Sequence, residues 1–124
     1  MAKAVGTAVL DAALDNIRNN ANRMVVCSAQ PTTFAEANVT YMLAFVAMVA
    51  GDFTHAAGDT SGRKTTSGAK NGVTITNSGT ANHVAWIDTT NSLIKVVTTC
   101  TSQAISVGGT VDIPAWKYEI NNPT

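Results

Sequence analysis

The 124-residue sequence contains little charge. Aspartate, glutamate, lysine and arginine make up 13% of it, about half of the roughly 25% found in an average soluble domain. Eight basic residues balance eight acidic ones, and the sequence pI is about 6.7. A chain without a positive field does not attract nucleic acid or an anionic membrane surface over long range. We therefore expect neither as a partner.

Cysteine is also scarce, and the two present are Cys27 and Cys100. Neither stands in a C-x-x-C pair or beside a histidine, so the spacing does not predict a zinc site. Two interpretations stay open. Free cysteine is among the most buried residue types, which favours two reduced thiols inside the fold. A disulfide between them, or between chains, is the alternative in an oxidising setting.

Long hydrophobic runs are missing too. The longest, residues 41–50, has ten residues, whereas a membrane-spanning helix needs about 20. Near the amino terminus, Asp11 and Asp15 interrupt the apolar residues before the core of a secretory signal develops. We expect a protein that does not enter a membrane and that stays in the cytosol in which it is made.

Threonine and other small polar residues take the place of charge. Eighteen threonines occur, fourteen of them after position 50, and β-branched residues favour sheet. At roughly 100 to 200 residues per domain, the length allows one domain. We divide the chain into an N-terminal helical segment, residues 1–22, and a β domain, residues 23–124, which together form a single structural unit.

Residues 8–20 predict an amphipathic helix. Leu10, Leu14 and Ile17 recur at spacings of three and four, which places them on one helix face. Thr7 stands where a capping residue is expected, and an asparagine cluster follows the helix. Because an apolar stripe of this length is not left in water, we expect it to pack on a sheet or on a neighbouring subunit.

The remainder of the chain predicts short strands separated by turns. Thr33 and Glu36 match a capping box at the start of one helical turn. The apolar run 41–50 fits a helix or a strand, and we favour a strand because β-branched and aromatic residues punctuate it. Residues 51–72 read as loop, short strand and loop, and residues 73–98 as a meander. The pattern predicts a mainly β fold, an N-terminal amphipathic helix followed by an antiparallel β-sandwich or small barrel. The further strands are expected at 23–29, 63–67, 101–106 and 110–120.

The two histidines do not mark a catalytic or metal site. His55 lies near two aspartates in the sequence, but the spacing matches no metal motif, and we favour a loop histidine in solvent. On a strand, His83 and Asp88 point to opposite faces. No serine stands in a G-x-S-x-G motif. The sequence therefore predicts no enzyme, no catalytic or metal-binding residues and no cofactor.

Two further segments have competing interpretations. Residues 58–64, GDTSGRK, look like a phosphate loop, but the spacing differs from G-x-x-x-x-G-K-[ST], so a tight turn into a strand is favoured. Trp86, Trp116 and Tyr118 fit a sugar-stacking platform. In a chain with 6% aromatic residues, we favour the alternative that they anchor the core or an interface.

The order of several segments resembles a known group of proteins. These are VVCSAQPTTFAEA at 25–37, GDTSGRK at 58–64, TNSGTANHVAWIDTTNS at 76–92 and GGTVDIPAWKYEINNP at 108–123. With the leading helix, this order looks like small virion structural proteins of tailed bacteriophages, over residues 8–123. The resemblance implies a virion component without enzymatic activity, assembled in the host cytoplasm, most simply a capsid decoration or cement protein that bridges major capsid subunits. A tail or neck component is the second expectation, and a carbohydrate- or receptor-binding module the third.

Low charge and surplus apolar surface favour assembly in many copies. We therefore expect a homo-oligomer, cyclic in symmetry, that also binds the major capsid protein or other virion proteins. Its contacts are expected along the helix, the run 41–50 and the last strand. The interface candidates are Leu10, Leu14, Ile17, Leu43, Phe45, Val49, Trp116 and Tyr118.

Overall fold

A computed structural model describes residues 5–123, so the predicted segment limits at residues 1 and 124 lie outside the described part. Helix α1 spans Thr7–Asn20, and a π-helical turn spans Glu36–Thr40. Nine strands are described in chain order: β1 (Arg23–Cys27), β2 (Met42–Ala47), β3 (Phe53–Ala57), β4 (Arg63–Ser67), β5 (Lys70–Thr74), β6 (Gly79–Asp88), β7 (Leu93–Ile105), β8 (Thr110–Ile113) and β9 (Trp116–Ile120).

The described strands form three antiparallel sheets. The main sheet has four strands in the order β2-β1-β6-β7, the second sheet has the order β3-β4-β9, and β5 pairs with β8 in a third. A bridge between Ala44 and Ile75 attaches the edge of β2 to the chain that leaves β5. The predicted mainly β fold, with a helix followed by antiparallel sheets, is confirmed.

Helix α1 lays its apolar stripe on the sheets. Leu10, Leu14 and Ile17 are all buried, as the spacing of three and four predicts. The predicted cap is wrong. The residue at the N-cap is Gly6, which has no side chain to offer, and Thr7 is the first helical residue. A hydroxyl caps a helix from the N-cap position, so Thr7 lies one residue too late.

The larger core fills the space between α1, one face of the main sheet and the other two sheets. Trp86 lies at its centre and is fully buried. The ring of Phe53 meets Trp86 edge to face, with centroids 5.1 Å apart. On the strand that closes the second sheet, Trp116 stacks on the same indole. Strands from the main and second sheets are thus joined through one aromatic cluster.

A smaller core covers the opposite face of the main sheet. Val25, Ala85 and Ile87 are buried there under the segment 34–41. That segment begins with the predicted capping box: the Glu36 amide donates to Thr33 Oγ1 at 3.2 Å, and the Thr33 amide donates to Glu36 Oε1 at 3.3 Å. The segment covers β1 and β6 but leaves part of β2 exposed.

Several predicted strands differ from those observed. Residues 42–47 of the run 41–50 form β2, a strand as favoured, and residues 63–67 form β4 as predicted. The strand β3 was missed, because residues 51–57 were assigned to a loop. The two strands expected at 93–98 and 101–106 form one strand, β7, since β-branched residues continue through the predicted break. The last predicted strand divides at Pro114, which has no N–H to donate.

The predicted meander over 73–98 is correct only for the hairpin β6–β7. The first strand, β5, pairs with β8 instead of β6. The amides of Thr76 and Asn77 both donate to the Leu43 carbonyl, at 2.8 and 3.0 Å. These bonds turn the chain toward β2 as it leaves β5, so β5 does not continue into the hairpin.

Candidate interface surface

Half of the predicted interface residues lie inside the chain's own core. Leu10, Leu14, Ile17 and Leu43 are each at most 7% exposed. Their periodicity reflects packing of α1 and β2 within the chain, and an apolar side chain that is already buried offers no area to a partner. The helix stripe therefore packs on the sheets, which was one of its two predicted positions.

The other four candidates lie nearer to solvent. Phe45, Val49 and Tyr118 are 40, 64 and 40% exposed, respectively. Trp116 is half-buried, because one face of its indole packs on Trp86. Phe45 and Val49 lie at and just after β2, and Trp116 and Tyr118 lie on β9.

An exposed apolar surface, which we call the β2 patch, consists of Val39, Phe45, Ala47 and Val49. Successive side chains of an extended chain alternate between its faces, so the last three point the same way. Val39 is 68% exposed on the neighbouring π-helical turn. The patch lies where the segment 34–41 ends and no longer covers the main sheet.

Arg23 borders the β2 patch and joins its parts. Its guanidinium carbon lies 4.5 Å above the centroid of the Phe45 ring, within the range of a cation–π contact. Its Nη1 also donates to Asn38 Oδ1 at 2.9 Å, next to Val39. Arginine and phenylalanine are both enriched at protein interfaces relative to the rest of the surface. Sequence reasoning missed Arg23 and Val39, because only the fold brings residues 23, 39 and 45 together.

A groove of about 420 Å³ opens beside the β2 patch. Phe45 and Val46 form one side, and Asn71, Gly72 and Val73 of β5 contribute to the other. At Gly72 the backbone φ is +66°, which favours glycine, and its amide donates to Asp112 Oδ1 at 2.8 Å. The patch therefore has a flat apolar part and an adjoining recess.

His55 is not the solvent-exposed loop residue that the sequence predicted. It lies on β3, its side chain is 8% exposed, and its Nε2 is 2.9 Å from Asp15 Oδ1. Its Nδ1 is 3.0 Å from the hydroxyl of Thr65. This carboxylate, imidazole and hydroxyl chain resembles a nucleophile activation relay, but Thr65 is fully buried, so its hydroxyl has no access to a substrate. The chain of bonds instead attaches α1 to the second sheet.

An ion pair between Arg63 and Asp11 supports that attachment. Arg63 Nε donates to Asp11 Oδ1 at 2.8 Å. The bond from Arg63 lowers the pKa of the Asp11 carboxyl. Both contacts join the polar face of α1 to strands β3 and β4, while the apolar stripe packs in the core.

His83 and Asp88 are not brought together. His83 Nδ1 lies 2.6 Å from Asn82 Oδ1. Asp88 Oδ1 accepts the amide protons of Thr90 and Asn91 at 2.9 and 3.1 Å. The Asn91 side chain also donates to Asp88, and this bond lowers the pKa of the Asp88 carboxyl. Asp88 therefore holds the turn between β6 and β7.

The segment GDTSGRK forms a tight turn into β4, as favoured. The Gly58 amide donates to the Gly62 carbonyl at 2.9 Å. At Gly62, φ is +68° and a Cβ would lie 1.9 Å from the Ile120 carbonyl oxygen, so only glycine fits. The exposed amides of the turn do bind an anion, but that anion is the chain's own Glu119.

Glu119 receives three amide protons from this turn. The donors are Asp59, Thr60 and Ser61, at 2.8, 3.0 and 3.4 Å. These bonds, the one from Asp59 first, lower the pKa of the Glu119 carboxyl. Lys117 pairs with both Asp59 and Glu119, and Lys64 pairs with Asp59, so two lysines balance the two carboxylates.

The aromatic residues do not form a sugar-binding platform. Trp86 is fully buried, and a sugar needs an open ring face for stacking. Its faces are occupied by protein, with Trp116 at a centroid distance of 3.9 Å. Among the described residues, the Trp86 indole N–H has no hydrogen-bond partner. The alternative interpretation, that these tryptophans anchor the core, agrees with this packing.

Cys27 and Cys100 are both free thiols, the first buried and the second exposed. They lie on β1 and β7, which pair with opposite edges of β6. Two strand spacings separate them by about 10 Å, beyond the roughly 7 Å limit for a disulfide. A bridge within the chain is therefore ruled out in this fold. Burial raises the pKa of the Cys27 thiol to about 12.

No family model, curated protein or solved structure matches this chain. In residues 5–123, no helix has the length and apolar character needed to cross a membrane. Within the same range, no three histidine, cysteine, aspartate or glutamate side chains come together as metal ligands.

Proposed function

We propose that this chain is a non-enzymatic structural protein of a bacteriophage virion, a decoration or cement protein that binds major capsid subunits in many copies. The observation that carries the proposal is the β2 patch. Phe45, Val39 and Val49 are large apolar side chains, and each is at least 40% exposed. The Arg23 guanidinium lies over the Phe45 ring, and arginine and phenylalanine are residue types enriched at protein interfaces.

The electrostatics of the chain fit the same role. Its net charge is zero, and the pairs among Asp59, Lys64, Lys117 and Glu119 satisfy one another. A neutral surface does not repel identical copies that are packed side by side on a shell. Contacts between copies and the shell are therefore governed by apolar area and hydrogen bonds.

In this proposal the chain strengthens the capsid shell mechanically. A copy that contacts two capsid subunits adds buried area across their boundary, and many such copies resist separation of the subunits together. In this proposal the chain needs no cofactor and no catalytic residue. Its partners are the major capsid protein and further copies of itself, and its location is the virion, which assembles in the host cytoplasm.

The test is to locate the chain in purified particles of the phage whose genome encodes it. Electron cryomicroscopy at subnanometre detail, combined with mass spectrometry of the particles, gives its position and copy number. Repeated density across the capsid surface supports the proposal. Density at one vertex or along the tail would favour a neck or tail component instead, and absence from the particle would end the proposal.

A further inference from the structure

Strand β9 is an edge strand, and a connection of two residues joins it to β8. It is the last of the described strands, lies at one edge of the second sheet and pairs with β4. Only Pro114 and Ala115 connect it to β8, and both are exposed. In the described residues, neither of these two makes a hydrogen bond to the rest of the fold.

The connection is suited to opening. Pro114 has no amide proton, so a change of direction there breaks no backbone hydrogen bond at that residue. Ile113 is held to extended conformations by the proline that follows it. If the backbone straightens at Pro114 and Ala115, β8 and β9 form one extended segment. Strand β9 then lies away from the β4 of the same chain.

The site that β9 would leave has a specific chemistry. It takes an indole against Trp86, where the Trp116 Nε1 also lies 3.3 Å from Met24 Sδ. Three residues further along, it takes a carboxylate into the amides of residues 59–61. An empty site would uncover Trp86 and leave those amides without an acceptor. The occupant that matches it is a strand with the sequence of β9.

We propose that β9 exchanges between copies, so that β9 of one chain pairs with β4 of a second copy of the same chain. Exchange keeps every contact of β9 and changes only the connection, which makes it a low-cost route to association. This inference rests on the proposed function, because many copies on one capsid shell would have a high local concentration. A high local concentration favours the exchanged form over the closed monomer.

The register of β4 and β9 supplies a direct test. Thr66 and Lys117 face each other across the two strands, and opposed residues have Cα atoms about 4.5 to 5.5 Å apart, within disulfide range. One full-length chain carries Thr66→Cys and another carries Lys117→Cys, both with Cys100→Ser. The two are refolded together at high concentration and oxidised with copper phenanthroline, which removes two electrons and two protons per disulfide.

If β9 exchanges, the mixture should give a disulfide-linked heterodimer. Its yield should be about tenfold above that of a control mixture of Thr66→Cys with Ser102→Cys. The reason is that thiols on paired strands have a far higher effective concentration than thiols that meet by collision. Ser102 is exposed on β7, away from this register. A chain with both Thr66→Cys and Lys117→Cys checks folding, because it can form the bond within itself.

If that double variant cross-links internally while the mixture gives no more heterodimer than the control, strand exchange is wrong. The outcome of this cross-linking experiment can be distinguished from a failure of the proposed function. Absence of the chain from virions would leave a positive cross-link standing as exchange between free copies, and a negative cross-link would leave attachment to a capsid through the β2 patch intact.

Discussion

The indole of Trp116 stacks on that of Trp86 with ring centroids 3.9 Å apart and planes inclined by 20°. Trp86 is fully buried on β6, whereas Trp116 lies half-buried on β9. This pair of rings joins the main sheet to strand β9. The hydrogen bonds of β4 and the Glu119 contacts complete the attachment.

Replacing Trp116 by alanine should lower the free energy of unfolding by about 3 kcal/mol, at the lower end for a large aromatic side chain because the ring is only half-buried. Urea denaturation followed by circular dichroism measures this. Tyr118→Ala on the same strand is the control. Tyr118 is more exposed, so its loss should be below about 1 kcal/mol. Equal effects of the two changes would show that the stack does not anchor β9.

Acid should weaken the fold through Glu119 and Asp59. Amide hydrogen bonds, the one from Asp59 first, lower the pKa of the Glu119 carboxyl, and hydrogen bonds from Lys117 and then Lys64 lower the pKa of Asp59 to about 2. A lowered pKa contributes stability above the unfolded value, and this is lost as pH falls toward the folded value. The free energy of unfolding should therefore fall from about pH 5 to about pH 2.

The matching variant is Glu119→Gln, which keeps the shape of the side chain but carries no charge. Its free energy of unfolding should be lower than that of the wild type at neutral pH and should change less as the pH falls. Urea midpoints measured across the same pH range check both points. An acid profile identical to the wild type would show that Glu119 contributes nothing to the pH dependence.

Replacing His55 by alanine should cost about 1 to 3 kcal/mol, because the buried Thr65 hydroxyl loses its partner. Chemical denaturation measures the change. His83→Ala is the control, since the partner of His83 is the adjacent Asn82, and its cost should be smaller. A double-mutant cycle with Asp15→Ala should show coupling of at least about 0.5 kcal/mol. Additive effects would mean that the Asp15 contact does not hold α1 on the second sheet.

The two thiols should differ in reactivity. Cys100 is exposed and should react with iodoacetamide in the native protein, whereas Cys27 should react only after unfolding, because it is buried and its thiol stays protonated. Mass spectrometry of labelled peptides distinguishes them. Oxidation of the native monomer should give no Cys27–Cys100 bridge. Recovery of that bridged peptide from folded protein would contradict the strand order.

Elements with a clear periodicity could be predicted from the sequence. The stripe Leu10, Leu14 and Ile17 defined α1, and the charged and threonine-rich run Arg63–Ser67 defined β4. The same periodicity does not separate core residues from interface residues, because a side chain that packs in the core and one that binds a partner are equally apolar. The buried state of Leu14 is set by the sheets above it, which local sequence does not specify.

Relations between distant residues could not be predicted. His55 lies near Asp52 and Asp59 in the sequence but binds Asp15, 40 positions away, because β3 runs under α1. The β2 patch has the same origin, since Arg23 and Phe45 meet only through the antiparallel pairing of β1 with β2. These contacts depend on strand order and register, which the local sequence does not encode.

The β2 patch is the surface through which we propose that the chain binds the capsid. The measurement is the copy number of the chain per purified virion, by quantitative mass spectrometry, for the wild type, for Val39→Asp with Phe45→Asp, and for the control Ser102→Asp. We expect the control to match the wild type, and the patch variant to fall about tenfold or more, as when interface hot-spot side chains are lost. A patch variant that folds and still fills its sites on the virion at wild-type copy number would contradict the account.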